Sequence, residues 1–213
     1  MQARKLAVHG AFEFTSQTFS DDRGVFVAPF QQQTFQAAKG GPLFSVAQSN
    51  HSVSRRGVVR GIHYTAAPPG AAKYVYCASG RSLDIVVDIR RGSPTYGTWD
   101  TVLLDQTGFR SVYLPVGVGH AFVALTDHTV MAYLTSAPYV AEQELALSPL
   151  DPALALPLPD DIDPILSERD GAALTLAQAA DRGLLPDFAL CQELEARLGT
   201  PAQAPHDLTG TRT

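Results

Sequence analysis

The chain has 213 residues and a formal net charge of -5, with 45% hydrophobic and 17% charged residues. This is an ordinary globular composition on a chain long enough to bury one substantial core. The negative balance and the lack of a basic run argue against nucleic-acid binding, and no apolar stretch is long enough to span a bilayer.

At the amino terminus, Met1-Gln-Ala-Arg-Lys-Leu-Ala7 carries no apolar signal core, which points to the cytoplasm. Turn signals then recur at Asp21-Asp-Arg-Gly24, Lys39-Gly-Gly-Pro42, Pro68-Pro-Gly70, Arg91-Gly-Ser-Pro94, Gln106-Thr-Gly108 and Thr126-Asp-His128. β-rich runs lie between them. The segment Arg56-Gly-Val-Val-Arg-Gly-Ile-His-Tyr64 sets Arg60 and His63 three apart in otherwise apolar surroundings. Lys73, one of only three lysines, opens the apolar run Tyr74-Val-Tyr-Cys77. An ammonium there implies a negative partner, and a histidine close by suggests proton transfer. Cys77 reads as a small buried hydrophobe. With Cys191 far away in sequence, two free thiols are expected rather than a disulfide.

From Leu83 to Ile89 the pattern alternates, with Leu83, Ile85, Val87 and Ile89 on one face and Asp84, Val86 and Asp88 on the other. Ser111–Leu114, Ala121–Leu125 and Val130–Leu134 read the same way. Many short strands at this spacing predict a mainly β sandwich or jelly roll. The last third differs. Thr175 with Gln178 forms a capping-box pattern for a helix ended by Gly183. Asp187 caps a second helix through Arg197, closed by Gly199. These helices are expected on the outside of a single domain spanning residues 1–200, and the polar stretch 201–213 is expected to be a flexible tail.

Pro115-x-Gly-x-x-His120 has the spacing of the second cupin motif. In the first cupin motif a His-x-His pair precedes a carboxylate. Here Thr65 replaces the second histidine, and Lys73, with Gly80 seven residues on, takes the carboxylate's place. A protonated ammonium is no metal ligand, so a cupin frame without metal or other cofactor is expected.

Together with these, Phe19-x-Asp-Asp-Arg-Gly-x-Phe26, Gln48-x-Asn-His-Ser52, Val59-Arg-Gly-Ile-His-Tyr64, Pro68-Pro-Gly70, Asp84-x-x-x-Asp-x-Arg-x-Gly-Ser-Pro94 and Leu166-Ser-Glu-Arg-Asp170 run in order over residues 15–175. In this the chain resembles the dTDP-4-dehydrorhamnose 3,5-epimerase family of metal-free cupins. Met1–Lys5, His63-Tyr-Thr65 and the C-terminal helices are similar to the subgroup serving antibiotic deoxysugar synthesis, members of which can epimerise C5 alone. The resemblance implies a jelly roll with C-terminal helices and a 5-epimerase or 3,5-epimerase that inverts C5, alone or together with C3, of a dTDP-4-keto-6-deoxyhexose. It also implies a homodimer in which N-terminal strands exchange.

By the same resemblance His63 is the base, Asp170 orients it, Lys73 faces the enolate oxygen and Tyr133 delivers a proton to the opposite face. Arg23, Gln48 and Arg60 hold the pyrophosphate, Tyr139 lines the sugar or base pocket, and His120 binds substrate with Asp84 and Asn50 in support. Blander readings stand beside these. His63 is then a satisfied structural histidine, Tyr133 core packing, Asp170 a helix cap, His120 with Asp84 a purely structural pair, and Asp88 with Arg90 or Arg91 a salt bridge at the sheet end. Three positions depart from the family pattern: Ala28 where a carboxylate is frequent, Arg169 where lysine is common, and Thr65 where Gln or Arg is frequent. Thr65 is expected to face the pocket. The remaining functional alternatives are a 3-epimerase, a 3,4-ketoisomerase, a metal-dependent dioxygenase and a non-catalytic sugar-nucleotide binder.

Overall fold

The structure is a computed structural model that describes residues 1–41 and 44–199. The first strands are β1 (Gln2–Lys5), β2 (Phe12–Thr15), β3 (Thr18–Asp21) and β4 (Gly24–Val27), followed by helix α1 (Gln32–Lys39). Then come β5 (Gln48–Ser54), β6 (Val59–Thr65), β7 (Lys73–Ser79), β8 (Arg81–Val87), β9 (Trp99–Asp105), β10 (Arg110–Leu114), β11 (Gly119–Ala124), β12 (Thr129–Thr135) and β13 (Glu144–Ala146). Helices α2 (Glu168–Gly171), α3 (Leu176–Asp181) and α4 (Phe188–Arg197) complete the chain.

Two antiparallel sheets face each other. One has six strands ordered β1-β2-β10-β7-β12-β5, and the other has five ordered β13-β6-β11-β8-β9. Alternation along each strand sends one set of side chains between the sheets and the other outward. Val75, Cys77, Val86, Val102, Val112, Phe122 and Met131 fill the space between them. The outer face of the five-stranded sheet carries Val59, Ile62, Tyr64, Ile85, Val87 and Val123. It is covered by Leu147, Leu154, Ile162, Leu176 and Leu185 from the C-terminal third. The outer face of the other sheet packs Phe14, Tyr74 and Tyr113 against Phe35 of α1 and Cys191 of α4. Each such side chain contributes about 1.5–3 kcal/mol on full burial, so the outer layers are integral to the barrel. The expected β-sandwich with external C-terminal helices is the observed fold.

Every expected turn among the described residues falls between elements. Thr175 and Gln178 form the reciprocal capping box of α3, and the Asp187 carboxylate accepts from Leu190 N–H to cap α4. The Asp88–Arg90 pair is buried, and the Asp88 carboxylate also accepts from Ser93 and Thr95. Helix α1 was not expected. Its sequence is polar and Gln31 offers no side-chain cap; Phe35 is its one buried anchor. The tail expected at residues 201–213 lies outside the described residues. Among these residues no helix is long and apolar enough to cross a membrane.

Candidate active site

One strand irregularity sets up the site. Side chains three apart on a regular strand point to opposite faces, yet Arg60 and His63 line the same pocket. The ladder between β6 and β11 explains this: His63 pairs with His120 and Arg60 with Phe122, so three steps on β6 match two on β11. The extra residue is a β-bulge at Gly61, where φ is +127°. A Cβ at Gly61 would lie 2.5 Å from the His120 carbonyl oxygen, so the strands can approach this closely only with glycine.

A pocket of about 200 Å³ opens between the inner faces of the two sheets. The six-stranded sheet contributes Asn50, Ser52, Lys73, Tyr133 and Thr135, and the five-stranded sheet contributes Arg60, His63, His120, Phe122 and Glu144; Tyr139 lies at the rim. A larger cavity of about 700 Å³ between the β1–β2 connection, the end of α1 and α4 holds none of the expected site residues.

His63 Nε2 lies 2.7 Å from Asp170 Oδ1, with Asp170 almost fully buried. Burial pushes the Asp170 carboxyl up. The His63 bond and charge, the Ser167 hydroxyl and the Gly61 N–H outweigh this and hold it below the usual carboxylate range. An ionised carboxylate only accepts, so in the neutral imidazole Nε2 is the donor and Nδ1 the acceptor. Asp170 does not cap α2; the Ser167 hydroxyl does, accepting from Asp170 N–H.

Tyr133 stands on the facing sheet. Burial raises its phenol above the usual range, against the opposing effect of the Ser52 hydroxyl, so the proton stays on oxygen at neutral pH. Lys73 opens β7 in the same pocket. Burial lowers its ammonium, Glu144 opposes this, and Arg169 adds to the lowering. Behind the pocket, His120 Nε2 lies 2.7 Å from Asp84 Oδ2, with Asp84 fully buried.

The structure thus gathers His63, Asp170, Lys73, Tyr133, Arg60, His120, Asn50 and Tyr139, with Asp84 directly behind His120. Gln48 does not line the pocket. Its amide donates to Asn50 Oδ1 at 2.7 Å and accepts from Tyr139 N–H at 2.9 Å, bracing both. Arg23 is not in this pocket either: it sits at the exposed tip of the β3–β4 hairpin, paired with Asp21 at 2.5 Å. Thr65 is buried against Glu144 rather than facing the pocket.

Glu144 itself was missed in the sequence. The one available signal was Lys73, whose burial demands an anion, but strand order alone does not say which carboxylate β13 delivers. Among the described residues no group of three or more His, Cys, Asp or Glu side chains could hold a metal ion.

A family model described as dTDP-4-dehydrorhamnose 3,5-epimerase matches residues 5–178. The chain belongs to this family. It is 50% identical over 188 residues to a dTDP-4-dehydrorhamnose 3,5-epimerase of Streptomyces griseus, covering 88% of this chain and 93% of that one. Two solved members of the family superpose closely. NovW is a 4-keto-6-deoxy sugar epimerase from the novobiocin biosynthetic gene cluster of Streptomyces spheroides. It matches with a TM-score of 0.86 at 48% identity, over 90% of this chain and 96% of NovW. ChmJ, a 3'-monoepimerase from Streptomyces bikiniensis solved with dTDP-quinovose, matches with a TM-score of 0.87 at 45% identity, over 92% and 98%. The family's relatives are isomerases, the enzyme class expected from the sequence.

Proposed function

We propose that the protein epimerises a dTDP-4-keto-6-deoxyhexose at C5, alone or together with C3, in cytoplasmic deoxysugar biosynthesis, with His63 as base and Tyr133 as acid. The observation that carries this is the placement of His63 and Tyr133 on opposing sheets across one pocket that Lys73 also lines. The 4-keto group acidifies the neighbouring C–H bond. His63 Nδ1 takes that proton, and Asp170 stabilises the imidazolium that forms. Negative charge moves to O4, where the largely buried Lys73 ammonium meets it. Tyr133 then returns a proton to the other face, inverting the centre. Arg60 suits the pyrophosphate, because a guanidinium makes bidentate phosphate contacts.

Inversion at C3 alone is the second reading, favoured by the likeness to ChmJ. The same base, cation and acid serve either carbon; the sugar's seating decides which is presented. The deciding experiment incubates dTDP-4-keto-6-deoxyglucose with the enzyme in deuterated water and reads C3 and C5 by NMR. Deuterium with inversion at C5, with or without C3, is expected. Deuterium at C3 alone would install the second reading, and no exchange at either carbon would overturn both. His63→Asn should lower exchange by roughly 10²–10⁴.

We also assign the β3–β4 hairpin to a homodimer contact, in which Arg23 reaches the pocket of a second copy. In support, the hairpin strands pair only with each other among the described residues, and Phe19, Val25 and Phe26 are more than half exposed. Apolar side chains on a protruding arm are covered most simply by a partner. Sedimentation should give twice the chain mass. Mixing inactive Arg23→Ala and His63→Asn proteins should restore activity through hybrid dimers, whereas no recovery would place Arg23 outside the site.

A further inference from the structure

Thr65 and Glu144 stand directly opposite each other in the β6–β13 ladder. The Thr65 hydroxyl donates to Glu144 Oε1 at 2.7 Å. The other carboxylate oxygen, Oε2, lies 3.7 Å from Lys73 Nζ. From α2, Arg169 Nη2 donates to the Glu144 backbone carbonyl at 2.7 Å, fixing the strand that carries it. Glu144 is thus tied at its main chain and at one oxygen, and its second oxygen is left facing the lysine.

The 3.7 Å separation is informative. Hydrogen bonds to nitrogen donors run from about 2.7 to 3.2 Å, so at 3.7 Å Glu144 supports the ammonium by charge without a close hydrogen bond to it. An untethered carboxylate would collapse onto Nζ or turn towards Arg169. The first outcome ties up the donor that the enolate oxygen needs, and the second leaves a buried cation unsupported. We propose that Thr65 is a positioning residue, holding Glu144 at the distance that keeps Lys73 both charged and free to donate into the pocket.

The charged and titratable groups sharing the pocket with Lys73 are His51 from β5, Arg60 and His63 from β6, His120 from β11, Tyr133 from β12, Tyr139 at the rim and Glu144 from β13. Arg169 acts on it from α2. Glu144 is the one anion in this set, so its position should control where Lys73 titrates. The use of Lys73 at an enolate rests on the epimerase reading, but its titration does not.

The test exploits the lysine count: Lys5, Lys39 and Lys73 are the only three in the chain. Lysine labelled with 13C at Cε gives three signals, and loss of one in Lys73→Arg assigns Lys73. In Thr65→Val the Lys73 midpoint should move by about one pH unit, upward if Glu144 closes onto Nζ and downward if it turns towards Arg169. Thr65→Ser should restore it. The alkaline limb of kcat should move with it, and kcat should drop roughly tenfold with little change in KM. In a Glu144→Gln background, Thr65→Val should produce no further displacement, which also covers a poorly folding single variant. An unchanged midpoint in Thr65→Val, an equal displacement in Thr65→Ser, or additive displacements with Glu144→Gln would each overturn the proposal. A displaced midpoint in a protein that exchanges neither C3 nor C5 would uphold it while refuting the epimerase reading.

Discussion

Replacing Gly61 with alanine should damage the site from behind, because the whole pocket depends on the bulge there. The added Cβ would meet the His120 carbonyl oxygen at 2.5 Å and the Cα and Cβ of Ala121 at 2.6 Å. These separations are about 1 Å short of van der Waals contact. The opposing atoms are mostly backbone in the β6–β11 ladder, so no side chain can rotate away. Alanine would also have to adopt a φ of +127°, a region of strain for any residue with a Cβ. Overpacking and backbone strain each cost about 1–3 kcal/mol, giving about 2–6 kcal/mol together. For a chain of this size that lowers Tm by about 5–20 °C. Whatever protein remains folded must part β6 from β11 by about 1 Å, a displacement able to cost about 100-fold in rate. Calorimetry and deuterium exchange at the sugar carbons measure the two effects. Gly171→Ala is the control, since a Cβ there meets nothing within 4 Å. A Gly61→Ala protein with Tm within about 2 °C of wild type and a normal exchange rate would refute the role assigned to the bulge.

Tyr133→Phe should separate exchange from inversion: His63 still removes the proton and returns deuterium to the same face, so label enters C5 with little net inversion. Inversion at the wild-type rate would assign the acid to another group. At Asp88, burial raises the carboxyl but Arg90, Ser93 and Thr95 more than offset this and hold it below its usual range. A depressed folded-state pKa stabilises above the unfolded value of about 4, and that contribution is lost as pH falls through the folded value. Asp88→Asn should therefore cost about 3–5 kcal/mol at pH 7, and the loss should shrink in urea titrations below about pH 4. An equal loss at every pH would contradict the ionic origin. Finally, turnover should survive exhaustive chelation, since the Lys73 ammonium stands where a cupin metal would need a carboxylate and the sequence has Thr65 in place of the second histidine. Activity lost to a chelator and restored by one metal would reverse that expectation.

Much of this architecture is legible in the chain, because strand alternation and turn chemistry are local. The capping box at Thr175 and the Asp187 cap depend on three-residue spacings, and both form as written. The resemblance carried the site residues, and the structure places most of them together, because those motifs lie on strands whose inward faces converge. What escaped is non-local or irregular. Helix α1 has no cap signal and one apolar anchor. Glu144 reaches Lys73 only through the pairing of β13 with β6, which nothing in residues 141–146 announces. Thr65 was expected to face the pocket, as plain alternation from His63 suggests; instead its hydroxyl is engaged by the residue across the ladder. Arg23 and Gln48 illustrate a further limit: a motif names a residue without saying whether it acts directly, through a neighbour, or on a second copy.

The carboxylate that orients His63 arrives 107 residues later in the chain. It is carried by the C-terminal wrap that also seals the outer face of the five-stranded sheet. Until that wrap docks, the base is not armed. Catalytic competence therefore requires that wrap to be docked. In refolding, activity should not return before the wrap docks, and a nascent chain stalled before Asp170 would hold an unoriented histidine.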